Sequence, residues 1–245
     1  PYNCTVTATS AAGTGVASQA SAVTPFAAPG APSIISATPG NSQAVLALQA
    51  PASNGGSPIQ RYDVSCSPQG GGAAVLASGA ASPLTVSGLV NGTTYSCIST
   101  ATNQAGLTSV ASVAVDVTPV TAPTAPTITS ATPGVTRVVL EITPPADNGG
   151  SPIQRYDVSC SPQGGGAPLS GSGASSPVEV SGMASGVTYS CTATATSQAG
   201  LTSPMSAAVN VTTSLPVPVP ALGAGGLALL TALLGMLGMR RSRRV

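Results

Sequence analysis

The sequence predicts an all-β chain of tandem β-sandwich modules closed by one C-terminal transmembrane helix, and three observations carry that expectation. The first is an internal repeat. At a fixed offset of 94 residues, Pro51–Gly72 matches Pro145–Gly166 at 21 of 22 positions, with Ser53 against Asp147 as the one difference. Cys66 and Cys160, Cys97 and Cys191, Gly106 and Gly200, and Pro25 and Pro119 keep the same offset, so each repeat is one structural unit of β-sandwich size. The second is apolar alternation with period two, the mark of a strand with one buried face. The third is a composition rich in Gly and Pro yet 42% hydrophobic, which suits short strands joined by many turns.

In chain order, residues 1–25 read as the tail of a further copy, because Tyr2-Asn3-Cys4-Thr5 echoes Tyr95-Ser96-Cys97-Ile98 and Tyr189-Ser190-Cys191-Thr192. Its offset to the next copy is 93, so one residue is missing before Pro25. Two full modules follow at residues 30–119 and 124–213. Pro- and Ala-rich joints at Phe26–Ala31, Val120–Ala125 and Ser214–Pro220 are short and semi-stiff, which suits a row of stacked modules better than a floppy tether.

Within the first full module, Ala44, Leu46 and Leu48 face one way, as Val138, Leu140 and Ile142 do in the second. The next strand turns Tyr62, Val64 and Cys66 inward and Arg61, Asp63 and Ser65 outward, and a later strand turns Tyr95 and Cys97 inward. Asn54-Gly55-Gly56-Ser57-Pro58 reads as a turn, since Gly and Asn accept positive φ and Pro fixes its own φ. No stretch of the repeats sustains helical spacing.

Together, Ala31-Pro32, the Pro51–Ile59 run, Tyr62-Asp63-Val64, Gly88-Leu89 with Thr94-Tyr95, and Ala101–Gly106 resemble a bacterial fibronectin type III module, and the second copy repeats the set from Ala125 to Thr213. The resemblance implies immunoglobulin-like sandwiches of seven strands, three packed on four. One departure is that Leu48 and Ile142 stand where the family usually has a core Trp. The resemblance also brings together the strands that carry Cys66 and Cys97, and those that carry Cys160 and Cys191. Two disulfides are expected in an oxidising compartment, the alternative being pairs of reduced, buried thiols. By the same correspondence the partner of Cys4 lies before Pro1. Zinc is not expected, since His is absent and no Cys-x-x-Cys occurs.

The tail has three parts: Pro216, Pro218 and Pro220 in a Pro-rich linker over 214–220, an apolar stretch over 221–239, and the Arg-rich end at 240–245. As a helix, nineteen residues with Thr231 as the one polar side chain span about 28 Å, near the hydrocarbon thickness of a bilayer. Arg240, Arg241, Arg243 and Arg244 place that end in the cytoplasm and the modules outside. A Pro-containing start, an apolar helix and a basic end resemble the sorting tails of the PEP-CTERM and IPTL-CTERM kind. That resemblance implies a membrane-embedded sorting protease that removes the helix. Retention as a plain single-span anchor is the alternative.

The charge pattern argues against nucleic acid. Residues 1–239 hold three Arg against six acids, a net of −3, and offer no basic patch to a phosphate backbone. No acid, base and nucleophile converge in the sequence, so no catalytic, cofactor-binding or metal residue is expected. Arg61-Tyr62-Asp63 and Arg155-Tyr156-Asp157 lack the central Gly of an integrin-type Arg-Gly-Asp loop, and alternation buries the Tyr. The near-identity of the two Pro–Gly segments fits either a repeated binding surface or recent duplication.

The chain opens at Pro1 without a charged and apolar leader and reads as part of a longer exported protein. The function expected is therefore a non-catalytic envelope or surface protein, its modules a stalk or an interaction unit for a surface protein or polysaccharide. The rival is a set of accessory spacer or polymer-binding modules on a secreted hydrolase whose catalytic domain lies upstream.

Overall fold

Residues 1–217 are described by the structure, a computed structural model, and they are all β, with no helix among them. The expected transmembrane helix over 221–239 and the tail after it lie outside the described residues.

The first segment pairs β1 (Tyr2–Cys4) with β4 (Ser21–Val23), and between them β2 (Thr9–Ser10) pairs with β3 (Gly13–Thr14). All of these residues are exposed.

The next module holds β5 (Ser33–Gly40), β6 (Gln43–Gln49), β7 (Ile59–Pro68), β8 (Val75–Gly79), β9 (Leu84–Ser87), β10 (Tyr95–Asn103) and β11 (Val115–Val117). They form a three-stranded sheet in the order β5-β6-β9 and a four-stranded sheet in the order β11-β10-β7-β8. The second module repeats this strand for strand with β12 (Thr127–Pro133), β13 (Arg137–Thr143), β14 (Ile153–Pro162), β15 (Leu169–Gly173), β16 (Val178–Ser181), β17 (Thr188–Ser197) and β18 (Val209–Thr212). Its sheets are β12-β13-β16 and β15-β14-β17-β18.

Alternation decides what each sheet buries. Ala44, Leu46 and Leu48 of β6 meet Tyr62, Val64 and Cys66 of β7 and Tyr95, Cys97 and Ala101 of β10, while the residues between them face out. The second module packs Val138, Leu140 and Ile142 against Tyr156, Val158, Cys160, Tyr189 and Cys191 in the same way. Leu48 and Ile142, at 6% and 4% exposure, close the core where the resembled family carries Trp.

Tyr95 and Tyr189 stand at the beginning of β10 and β17, as first and second residue respectively, and turn their hydroxyl back on the preceding loop. Their oxygens accept from the Val90 and Ala184 N–H groups at 3.0 and 2.9 Å. This is the tyrosine corner found at the same place in immunoglobulin-like sandwiches, two residues before the second cysteine.

The last strand of each four-stranded sheet is interrupted. β11 pairs only with Tyr95–Cys97, and beyond it the edge of β10 is completed by two serines. The Ser112 and Ser109 N–H groups donate to the Ser99 and Ala101 carbonyls, at 2.8 and 2.9 Å. Their hydroxyls accept the Ser99 and Ala101 N–H groups in return, at 3.0 and 2.9 Å. Ser206 and Ser203 do the same for Ala193 and Ala195. Hydroxyls thus stand in for a missing run of strand carbonyls and leave no buried ladder donor unmatched there.

Candidate functional site

Three features of the modules offer chemistry or contact: the paired cysteines, the outer face of each four-stranded sheet, and the loop that receives each joint. The cysteines sit directly opposite one another on neighbouring strands, Cys66 across from Cys97 and Cys160 across from Cys191, all four fully buried. The structure bonds each pair as a disulfide, the partners 31 positions apart in sequence. Cys4 is free and exposed.

The outer face of the four-stranded sheet holds a shallow groove in both modules. In the first it measures about 460 Å³ and runs between Asp63, Ser65, Leu76, Ser78, Ile98 and Thr100. Its counterpart in the second measures about 430 Å³, with Ser170 and Thr192 where the first has Leu76 and Ile98. Met205 lies over this second groove, its sulfur 4.0 Å from the Thr192 hydroxyl. The first groove is therefore lined more by apolar side chains than the second. The segments that are nearly identical between the modules contribute the shared wall of the groove, but the rest of the lining has diverged.

Arg61 and Asp63 leave the sheet on this outer side and pair with each other at 2.9 Å, as do Arg155 and Asp157. The partners are well exposed, and such pairs add little stability. Tyr62 and Tyr156, between them, point into the core. Burial raises the Tyr156 phenol above its ordinary range, so this side chain is a neutral packing element at physiological pH.

The third feature is where the joint meets the module. The Ala27 N–H donates to the Gly55 carbonyl and the Gly30 N–H to the Ser53 carbonyl, both at 2.9 Å. In the second module Thr121 and Thr124 bind Gly149 and Asp147 in the same way, at 2.8 and 2.9 Å. The approach is close enough that a Cβ on Gly55 would lie 1.9 Å from the Ala27 oxygen, and one on Gly149 2.0 Å from the Thr121 oxygen. Both glycines also hold φ +71°, so the Asn-Gly-Gly sequence answers two demands, positive φ and room for the incoming chain.

Asn103 fixes this arrangement in the first module. Its amide nitrogen donates to the Ala27 and Asn54 carbonyls at 3.0 and 3.1 Å, and its oxygen accepts the Leu107 N–H at 3.0 Å. The second module has Ser197 at that position, fully buried and with no partner for its hydroxyl. Neither the paired serines nor the role of Asn103 was read from the sequence. The signal for the serines was present, because Ser109 and Ser112 recur as Ser203 and Ser206 at the repeat offset.

Of the tail residues expected to act in sorting or topology, Pro216 is exposed and outside any strand. Pro218, Pro220, Arg240, Arg241, Arg243 and Arg244 lie outside the described residues. Ser214 holds the start of the linker against the second module, its N–H donating to the Gly134 carbonyl at 2.8 Å. Among the described residues no group of three or more His, Cys, Asp or Glu side chains comes together. No helix among them is long and apolar enough to cross a membrane.

Comparison with known proteins gives two family matches. The fibronectin type III domain model matches residues 121–212, and the IPTL-CTERM motif model matches residues 217–244. None of the curated proteins compared with the chain matches it. The second module is thus a fibronectin type III domain, and an IPTL-CTERM motif follows it at residues 217–244.

Proposed function

We propose that this chain serves as a non-catalytic protein of the cell envelope, its disulfide-stapled modules held outside the membrane and its C-terminal segment acting as a sorting signal. The observation that carries the reading is adjacency. A fibronectin type III domain ends at Thr212 and an IPTL-CTERM motif begins at Val217, with four residues between them. Two disulfides fit an extracytoplasmic compartment, since thiols in the cytosol are kept reduced.

On this reading residues 221–239 engage the membrane, Arg240, Arg241, Arg243 and Arg244 hold the C-terminus in the cytoplasm, and a membrane-embedded sorting protease cleaves near the Pro-rich start. The modules then act by projecting and spacing, with a surface protein or polysaccharide as partner.

The test is accessibility in the native host. Protease added to intact cells is expected to degrade the modules. Neutral residues in place of the four terminal arginines are expected to lower that surface pool, because the charge bias that orients the helix is gone. Modules that stay protected until the cells are broken would overturn the proposal.

A further inference from the structure

Gly92 of the first module and Gly150 of the second approach so closely that neither has room for a side chain. A Cβ built on Gly150 would lie 2.3 Å from the Gly92 nitrogen and 2.6 Å from the Asn91 carbonyl carbon, all backbone atoms. A Cβ on Gly92 would lie 3.0 Å from both the Cα and the carbonyl oxygen of Gly150. Both residues have φ above +80°, which suits glycine in any case. The turn and the loop therefore meet backbone to backbone.

We propose that the Asn148-Gly149-Gly150 loop is a docking surface for the Asn91-Gly92 turn of the module before it, so that the joint is a fixed contact rather than a swivel. Each side of the contact is held by its own module. The Gly92 N–H donates to the Pro119 carbonyl at 2.8 Å, which ties the turn to the start of the joint, and Thr121 and Thr124 tie the rest of the joint to the receiving loop. Within that loop the Gly150 N–H donates to the Asn148 side-chain oxygen at 2.9 Å.

The turn is braced as well. Asn91 accepts the Ser42 N–H through its side-chain oxygen at 2.8 Å and donates its amide to the Asn41 side-chain oxygen at 2.9 Å. In the second module the corresponding residues are Ser185, Thr136 and Val135, which cannot rebuild that pair of bonds. Among the described residues that turn meets no further module. The position of Gly186, the counterpart of Gly92, is covered instead by Leu215, whose Cδ2 lies 2.8 Å from where a Cβ would stand. The brace is present where another module docks and absent where the joint's own side chain takes its place.

The contact also gives the near-identical segments of the two modules a shared task that the grooves do not. Each Asn-Gly-Gly loop receives what precedes it, and in the first module the position equivalent to Gly150 faces Phe26 and Pro25, 3.7 and 3.8 Å from where a Gly56 Cβ would lie. The partner this surface fits is thus the segment of the same chain that precedes each module, be it a module turn or a joint. The inference deepens the projecting role, yet it stands on these contacts and does not depend on where the chain is displayed.

The experiment is residual dipolar couplings on the isotopically labelled 245-residue chain in detergent micelles, with each module fitted separately. One alignment tensor is expected to describe both modules. Gly150→Val is expected to abolish the common tensor and the slow exchange of the Gly92 amide while the couplings still fit each module alone. Asn91→Ala removes the brace, alters neither core, and is expected to lose the common tensor too. Gly164→Ala, at a glycine with no atom within 4 Å of a built Cβ, should change nothing. Independent tensors in the unaltered chain, or one tensor kept in both Gly150→Val and Asn91→Ala, would overturn the proposal. Either result would leave surface display unaffected, so the two readings fail separately.

Discussion

Asn103 makes three of the four hydrogen bonds open to its amide inside the first module, to two carbonyls that belong to different chain segments and from one N–H. Ser197 is too short to reach across in the second, and its own hydroxyl is one of two buried side-chain oxygens without a partner among the described residues. A buried polar group without a partner costs about 1–3 kcal/mol, whereas each satisfied hydrogen bond returns about 1 kcal/mol. Ser197→Asn is therefore expected to stabilise the second module by roughly 1–2 kcal/mol, read as an upward shift of its denaturant midpoint with unchanged slope. Asn103→Ser should lower the midpoint of the first. If Ser197→Asn destabilises its module, the bridge between joint and loop is not what Asn103 provides.

At the scale of the element, two substitutions separate what holds the four-stranded sheet. Ser206→Ala removes the acceptor of the Ala193 N–H, which is 1% exposed, and is expected to cost about 1–3 kcal/mol with faster amide exchange at Ala193. Exchange that does not change would show that the serine is not completing the ladder. Replacing Cys160 and Cys191 together with Ala frees a loop of 31 residues in the unfolded chain and is expected to cost roughly 3–4 kcal/mol by chain entropy. A loss below about 1 kcal/mol would mean that the unfolded chain is already compact there.

Strands such as β6 and β7 were legible because one face is buried and the period of two is strict. The same alternation placed Tyr62, Val64 and Cys66 on the core side and left Arg61 and Asp63 outside. The serine-completed edge was not legible as an element. Its hydrogen bonds run from side chain to backbone, and no pattern of apolar residues records them. The loop Asn54-Gly55-Gly56 was read as a turn and is one, yet the reason Gly55 tolerates no side chain is the Ala27 carbonyl 28 positions earlier in the chain. Sequence periodicity reports burial, and contacts between backbones leave no trace in it beyond the glycine itself.

At the scale of the whole molecule, two separate cores, two disulfides and a hydrogen-bonded joint make a short row of modules, and the IPTL-CTERM motif follows without an intervening domain. Much of the row fixes geometry, through the disulfides and the hydrogen-bonded joint. On the proposed function the modules are oxidised and stand outside the membrane after the tail has done its work. The intact mass of the protein taken from the surface of its native host tests both parts at once. A chain lacking Ala221–Val245 is expected, its mass lowered by the hydrogens lost in forming the Cys66–Cys97 and Cys160–Cys191 bonds. A surface form that still ends at Val245, or one with those four thiols free, would contradict it.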